Sequence, residues 1–160
     1  MRAAVLTVSD GVAAGTREDA SGAVLAERAQ DAGFEVVERV VVPDDRSQVA
    51  EALWGLTDIA DLVLTTGGTG FAPRDVTPEA TASVLDREAP GLAEAIRADS
   101  IAKTPHALLS RGIAGVRGTT LVVNLPGSTG GCRDGFRILK PALGHALQLL
   151  AGEETAHRQT

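Results

Sequence analysis

Apolar residues fall in short unbroken runs, and polar, glycine-rich stretches separate them. Residues 3–8, AAVLTV, form a continuous β-type run. With no polar alternation, such a run suits a strand covered on both faces, as in a parallel sheet. The following SDGVAAGTREDASG, rich in Gly, Asp and Ser, reads as a loop. Residues 20–32 carry helical spacing, and Gly33 is a good stop. Residues 34–42, FEVVERVVV, predict a second strand ended by Pro43. Asp45 or Ser47 can cap a helix that runs to about residue 56. Residues 61–66, DLVLTT, predict a third strand that leads directly into a Gly loop. Thr77 reads as an N-cap, with Pro78 at the first helical position and Glu79 in the first turn of a helix to about residue 88. Pro90 opens another helix, PGLAEAIRADSIAK. Residues 112–116 and 119–125 predict two further strands, PGSTGG a loop, and residues 136–150 a last amphipathic helix.

Strands alternating with helices predict an α/β fold with a largely parallel sheet. Neither an internal repeat nor a linker divides it, so residues 1–152 read as a single domain and residues 153–160 as a polar tail. A length of 160 residues suits one domain, and 44% apolar residues suffice for one sizeable core. With three Phe, one Trp and no Tyr, that core is aliphatic, and base-stacking platforms are hard to assemble. A net charge of −6 also argues against a nucleic-acid partner. An anionic ligand would have to be held by backbone N–H groups, a few placed cations or a metal. One cysteine, Cys132, allows no internal disulfide, and no Cys/His spacing matches a zinc site. The N-terminal run is too short for a signal peptide and no stretch is long enough to span a membrane, so the expected location is the cytoplasm.

Candidate chemistry gathers in three loops that follow apolar strands: SDGVAAG, GGTGFAPRD and NLPGSTGG. In open α/β sheets ligands bind outside the carboxyl ends of the strands, so the three loops can share one crevice. Gly67, Gly68 and Gly70 allow positive φ and close backbone approach, and successive N–H groups can nest phosphate oxygens. A tight connection without a ligand needs the same glycines. The loop is neither a Walker A loop nor a dinucleotide fingerprint. Asp75 reads either as a cap or ion-pair partner of Arg74, or as a magnesium ligand beside phosphates. Asp44 and Asp45 offer further carboxylates at a similar edge, and one of them reads as a helix cap. Asn124, Gly127 and Ser128 suit a polar ring edge or phosphate, and equally turn chemistry. Ser110 reads as a helix-terminal residue. His106, His145 and His157 form no hydrolase pattern, and Cys132 reads as inert. Phe71 can face a flat ligand or pack on the sheet.

The stretches VSDGVAAG, VVPDD, TTGGTGFAPRDVTPEAT, ALLSRGIAGVRG and VVNLPGS stand in the order seen in the molybdopterin adenylyltransferase family of Mog/MoaB type, and the chain resembles that family from about residue 3 to 150. The resemblance implies a three-layer α/β/α sandwich, a homotrimer, and transfer of AMP from Mg-ATP to the terminal phosphate of molybdopterin with release of pyrophosphate. It implies a molybdenum-insertion protein as downstream partner. It places the two essential aspartates, as catalytic and Mg²⁺-holding groups, on Asp44 and Asp75. Gly67, Gly68, Thr69 and Gly70 would hold phosphate. Ser9, Asp10, Ser110, Asn124, Pro126, Gly127 and Ser128 would line the pterin and nucleotide pocket. Many relatives have Pro after the Gly-Ser pair, whereas this chain has Thr129 followed by Gly130 and Gly131, and a more flexible loop is expected there. Two other functions compete: a pterin-binding or scaffolding protein without transfer, and a nucleotide pyrophosphatase.

Overall fold

The computed structural model describes residues 1–153. Its strands are β1 (Arg2–Val8), β2 (Glu35–Val42), β3 (Leu62–Thr66), β4 (Arg87–Glu88), β5 (Ala114–Arg117) and β6 (Thr120–Leu125). Its helices are α1 (Asp10–Ala13), α2 (Ala20–Asp31), α3 (Arg46–Thr57), α4 (Thr77–Val84), α5 (Pro90–Ile101) and α6 (Thr129–Leu150), with a 3₁₀ turn at Pro105–Leu109. The strands form one sheet in the order β2-β1-β3-β6-β5-β4. β2, β1, β3 and β6 run parallel, and β5 and β4 add an antiparallel edge.

Alternation along buried strands sends side chains to two cores. Ala3 and Val5 pack with Leu62, Leu64, Val123 and Leu125 under α2, α5 and α6, where Leu25, Ile96, Phe136 and Leu139 close the layer. Ala4, Leu6 and Val8 pack with Val63 and Val122 under α3 and α4, through Val49, Leu53, Ala80 and Val84. The three-layer α/β/α sandwich expected from the resemblance is thus the observed architecture.

β2 lies to one side of β1 and β3 to the other. The chain therefore reverses its winding between β1 and β3, and the loops leaving their carboxyl ends splay apart into a crevice. β6 neighbours β3, so all three glycine-rich loops emerge along one edge.

Several local expectations change. Ser9 starts a single turn, α1, inside the stretch read as loop, by accepting from Val12 N–H at 3.2 Å. The N-cap of α4 is Val76, not Thr77, and it makes no side-chain cap bond. The Thr77 hydroxyl instead donates to the Gly67 carbonyl at 2.9 Å. α4 stops at Val84 and leaves room for β4, which the sequence reading lacked. α6 begins at Thr129, seven residues before residue 136. Ser128 caps it by accepting from Gly131 N–H at 3.0 Å, so Thr129-Gly130-Gly131 form the first helical turn rather than a flexible loop. A Cβ on Gly131 would lie 2.8 Å from the Pro126 Cβ, which explains a glycine inside that turn. Apart from Glu153, the polar tail lies outside the described residues, and so does His157.

Candidate active site

The glycine loop after β3 is built by backbone constraints. Gly67 and Gly68 sit at φ 93° and 67°, a region open to glycine. A Cβ on Gly67 would meet the Val8 carbonyl oxygen at 2.2 Å, so the end of β1 and the loop touch backbone to backbone. The loop is then hooked to α4, where the Thr77 hydroxyl holds Gly67 and Thr77 N–H donates to the Gly68 carbonyl at 3.1 Å.

Two cavities flank this loop. A polar one of about 360 Å³ opens at the β1/β3 crevice, with Ser9, Asp44, Gly67, Gly68, Asp75 and Gly127 among its lining residues. Ala20 and Ser21 at the start of α2, and Ser128 and Thr129 at the start of α6, also face it. Two helix N-termini beside positive-φ glycines make a site suited to anions. A mainly apolar cavity of about 310 Å³ lies on the other side, bounded by Thr69, Gly70, Ile96, Ala107, Leu109 and Ser110, with Arg97, Lys103 and Asp134 among its charged neighbours. Pro126 lines it as well, and Ser128 lines both cavities.

Asp44 and Asp75 come from different loops to the same polar cavity. Asp44 Oδ2 accepts from Asp10 N–H at 2.8 Å, and Asp10 Oδ1 accepts from Asp44 N–H at 3.0 Å. Asp75 Oδ2 accepts from Ala72 N–H at 3.0 Å. Each aspartate keeps its other carboxylate oxygen clear of protein hydrogen bonds among the described residues. Burial raises the Asp44 carboxyl above the ordinary carboxylate value, and the charges of Asp10 and Asp75 add to the rise against the hydrogen bond from Asp10. Asp10 is held low, first by the hydrogen bond from Arg74. The Arg74 guanidinium grips both of its oxygens, at 2.5 and 3.0 Å. The ion pair expected between Arg74 and Asp75 is thus made with Asp10.

This donor set bears on whether magnesium could sit here. Among the described residues no group of three or more His, Cys, Asp or Glu side chains is placed to hold a metal by itself. Two carboxylates with spare oxygens, crowded by like charge, fit a hard cation that draws its remaining ligands from phosphates and water. The fit is to a magnesium–phosphate unit rather than to a bare ion.

Of the residues singled out from sequence, Ser9, Asp44, Gly67, Gly68, Asp75, Gly127 and Ser128 line the polar cavity, and Thr69, Gly70, Ser110, Pro126 and again Ser128 the apolar one. Asp10 lines neither cavity and instead exchanges hydrogen bonds with Asp44 and pairs with Arg74. Asn124 lines neither cavity. It is buried between the layers, donates to Thr65 and Thr81 hydroxyls at 2.9 and 3.0 Å, and accepts from Ile113 N–H at 3.1 Å. Its amide cross-links strand and helix. Asp45 caps α3 through Gln48 N–H at 2.9 Å. Phe71 is 68% exposed, so it does not pack on the sheet. Cys132 is buried, and its thiol is pushed up to about 11 by desolvation, in keeping with an inert group.

Sequence reasoning missed Arg111. Its backbone N–H donates to the Thr69 carbonyl at 2.8 Å, its Nε to Gly70 O at 2.7 Å and an Nη to Asp75 O at 2.8 Å, while the other Nη pairs with Glu79. An Arg beside Ser110 in LLSRG was the available signal, but the partners lie 32 or more positions away.

The fold is shared with known proteins. The profile of a family described as a probable molybdopterin binding domain matches residues 4–145. A molybdopterin adenylyltransferase of Helicobacter pylori (strain J99) is 38% identical over 152 residues, 92% of this chain and 86% of the relative. The molybdenum cofactor synthesis protein cinnamon of Drosophila melanogaster is 40% identical over 98% of this chain. Cinnamon and two other relatives are longer proteins, of which the chain spans between 22% and 49%. The crystal structure of the molybdopterin biosynthesis enzyme MoaB from Thermus thermophilus superposes with a TM-score of 0.88 at 48% identity, covering 94% of this chain and 96% of that one. With its profile matched over residues 4–145 and its fold shared with MoaB, the chain belongs to the molybdopterin-binding domain family.

Proposed function

We propose that the protein is a molybdopterin adenylyltransferase of molybdenum cofactor biosynthesis. A single observation carries the reading: a polar cavity holding Asp44 and Asp75 shares a wall with an apolar cavity. A phosphate-bearing pterin and a nucleotide need such a pair of adjoining sites. The flat ring of the pterin suits the apolar side, bounded by Ile96, Ala107 and Leu109. The nucleotide phosphates suit the polar side, at the glycine loop and the two helix N-termini.

In the transfer, an oxygen of the molybdopterin phosphate attacks the α-phosphorus of ATP. The new P–O bond forms as the bond from that phosphorus to the β-phosphate bridge oxygen breaks, and pyrophosphate leaves with the electron pair. A phosphate oxygen needs no general base, so the protein's work is alignment and charge compensation. Gly67 and Gly68 shape a backbone cradle for the phosphates. Asp44 and Asp75 would hold Mg²⁺, which when bound neutralises phosphate charge. Ser128, on the shared wall, stands where the two substrates meet.

The relatives named for molybdopterin adenylylation and cofactor synthesis support this reading. Assembly as a homotrimer and hand-over of the adenylylated pterin to a molybdenum-insertion protein belong to the same proposal. Among the described residues no helix is long and apolar enough to cross a membrane. Incubation with molybdopterin and Mg-ATP, followed by mass analysis, tests the activity. Adenylylated molybdopterin and pyrophosphate are expected in equal amounts. Pterin binding without product would move the protein to a binding role, and pyrophosphate without pterin would make it a hydrolase.

A further inference from the structure

The glycine loop needs positive φ at two positions and carries Asp75 at its far end, so something must hold it in one shape. Asp75 anchors itself only locally, through Ala72 N–H. The long-range anchor is Arg111. Its guanidinium donates to Gly70 O at 2.7 Å and to Asp75 O at 2.8 Å, and it pairs with Glu79 in the first turn of α4. These three groups belong to the start, the end and the helical continuation of the segment that carries Asp75. Arg111 is itself held in place from the side of α5, where Arg97 donates to the Gly112 carbonyl at 2.7 Å. The Arg111 side chain is two-thirds covered, while its partner Glu79 stays more open to solvent.

We propose that Arg111 is the positioning residue of the transfer: it sets Asp75 in the polar cavity by bridging the loop's carbonyls, and it does so without holding either substrate. The inference rests on the adenylyltransferase reading for its kinetic effect, but not for its binding effect. A planar five-donor guanidinium can serve Gly70, Asp75 and Glu79 together, whereas an ammonium is a point charge that cannot span them. Arg111→Lys therefore keeps the charge near Glu79 and loses the bridge. The bond from residue 111 N–H to Thr69 O survives the substitution, because it is backbone to backbone. The wall of the apolar cavity at Thr69 then stays in place while Asp75 is released.

The experiment compares wild type and Arg111→Lys by three readouts. Molybdopterin binding, followed by fluorescence, should change by less than about threefold, since the apolar wall is retained. Binding of Mg²⁺ with a non-hydrolysable ATP analogue, followed by calorimetry, should weaken about tenfold or more, because Asp75 no longer presents its oxygen. The kcat for adenylylation should fall about a hundredfold while KM for the pterin stays near wild type. Equal metal–nucleotide binding in the two proteins would overturn the proposal, as would a uniform loss of pterin and nucleotide binding, which a merely structural residue would give. If the wild type makes no product, the calorimetric comparison still decides the role of Arg111, and the proposed activity alone fails. Should Arg111→Lys not fold, Arg111→Ala with added methylguanidinium replaces it. Saturable recovery of metal–nucleotide binding supports the bridge, and no recovery contradicts it.

Discussion

The two cavities share Ser128 and are built from different materials. The polar one is made at the ends of β1 and β3, where backbone groups, helix N-termini and the carboxylates of Asp44 and Asp75 meet. The apolar one lies between α5, the 3₁₀ turn and the loop before α6, where side chains such as Ile96 and Leu109 set its shape. A site made of backbone tolerates few changes at glycine but many elsewhere. A site made of side chains can be reshaped one residue at a time. Charge compensation and ring recognition are thus separated in space, and so are the substitutions that should damage each.

The largest effect should come from Asp75→Asn. Loss of one metal-holding carboxylate is expected to cut kcat for adenylylation about 10²–10³-fold, with pterin binding nearly unchanged, as read by steady-state kinetics and pterin fluorescence. A parallel loss of pterin binding would merge the two cavities into one site.

Gly67→Ala should come next. Its Cβ would lie 2.2 Å from Val8 O at φ 93°, so β1 and the loop must separate. A stability loss of about 2–4 kcal/mol is expected in urea unfolding, together with weaker Mg-ATP binding. Wild-type stability would show that the loop and β1 are not in contact.

On the apolar side, Ala107→Trp should fill the cavity. KM for molybdopterin should rise about tenfold, while binding of a magnesium–ATP analogue stays within about twofold. An equal fall in nucleotide binding would place the nucleotide in this cavity instead.

At neutral pH the smallest effect belongs to Cys132, beneath the wall that both cavities share. Its thiol donates toward the Thr66 hydroxyl and the Pro126 carbonyl, at 3.3 and 3.2 Å. Its folded-state value is raised to about 11 from 9.0. A raised value means that the folded state keeps the proton that the unfolded chain releases. Its contribution is therefore intact below pH 9 and declines as pH rises through 11, by about 1.4 kcal/mol per unit between those values. Urea unfolding from pH 7 to 11, against Cys132→Ala, should show a steeper decline in the wild type, because Lys103, also held above its ordinary value, declines in both proteins. Identical slopes would mean that the thiol is not buried as described.

Parts of this arrangement were legible in the amino-acid order, because they depend on local chemistry. The β-type runs at residues 3–8 and 61–66 became central parallel strands, since a strand buried on both faces has no strict polar alternation. Three glycine-rich loops after three strands became three neighbours on one sheet edge, because parallel winding sends each strand's carboxyl end to the same side. What stayed hidden depended on partners far along the chain. Arg111 acts through carbonyls of residues 70 and 75, and no local pattern marks such a bridge. Asn124 looked like a ligand-binding amide, yet Thr65, Thr81 and Ile113 consume its hydrogen bonds. The first turn of α6 was obscured by two glycines of low helix propensity, and Ser128 overrides them as a cap. β4 is too short to carry a pattern of its own, and it exists because the edge of β5 is there to pair with.

The most direct test of the central claim combines both sites in one reaction. Purified protein is mixed with molybdopterin and Mg-ATP, and product is followed by mass beside Asp75→Asn and a sample without pterin. Adenylylated molybdopterin is expected from the wild type, almost none from the variant, and no pyrophosphate without pterin. Full product from Asp75→Asn, or bound pterin with no product from the wild type, would contradict that claim.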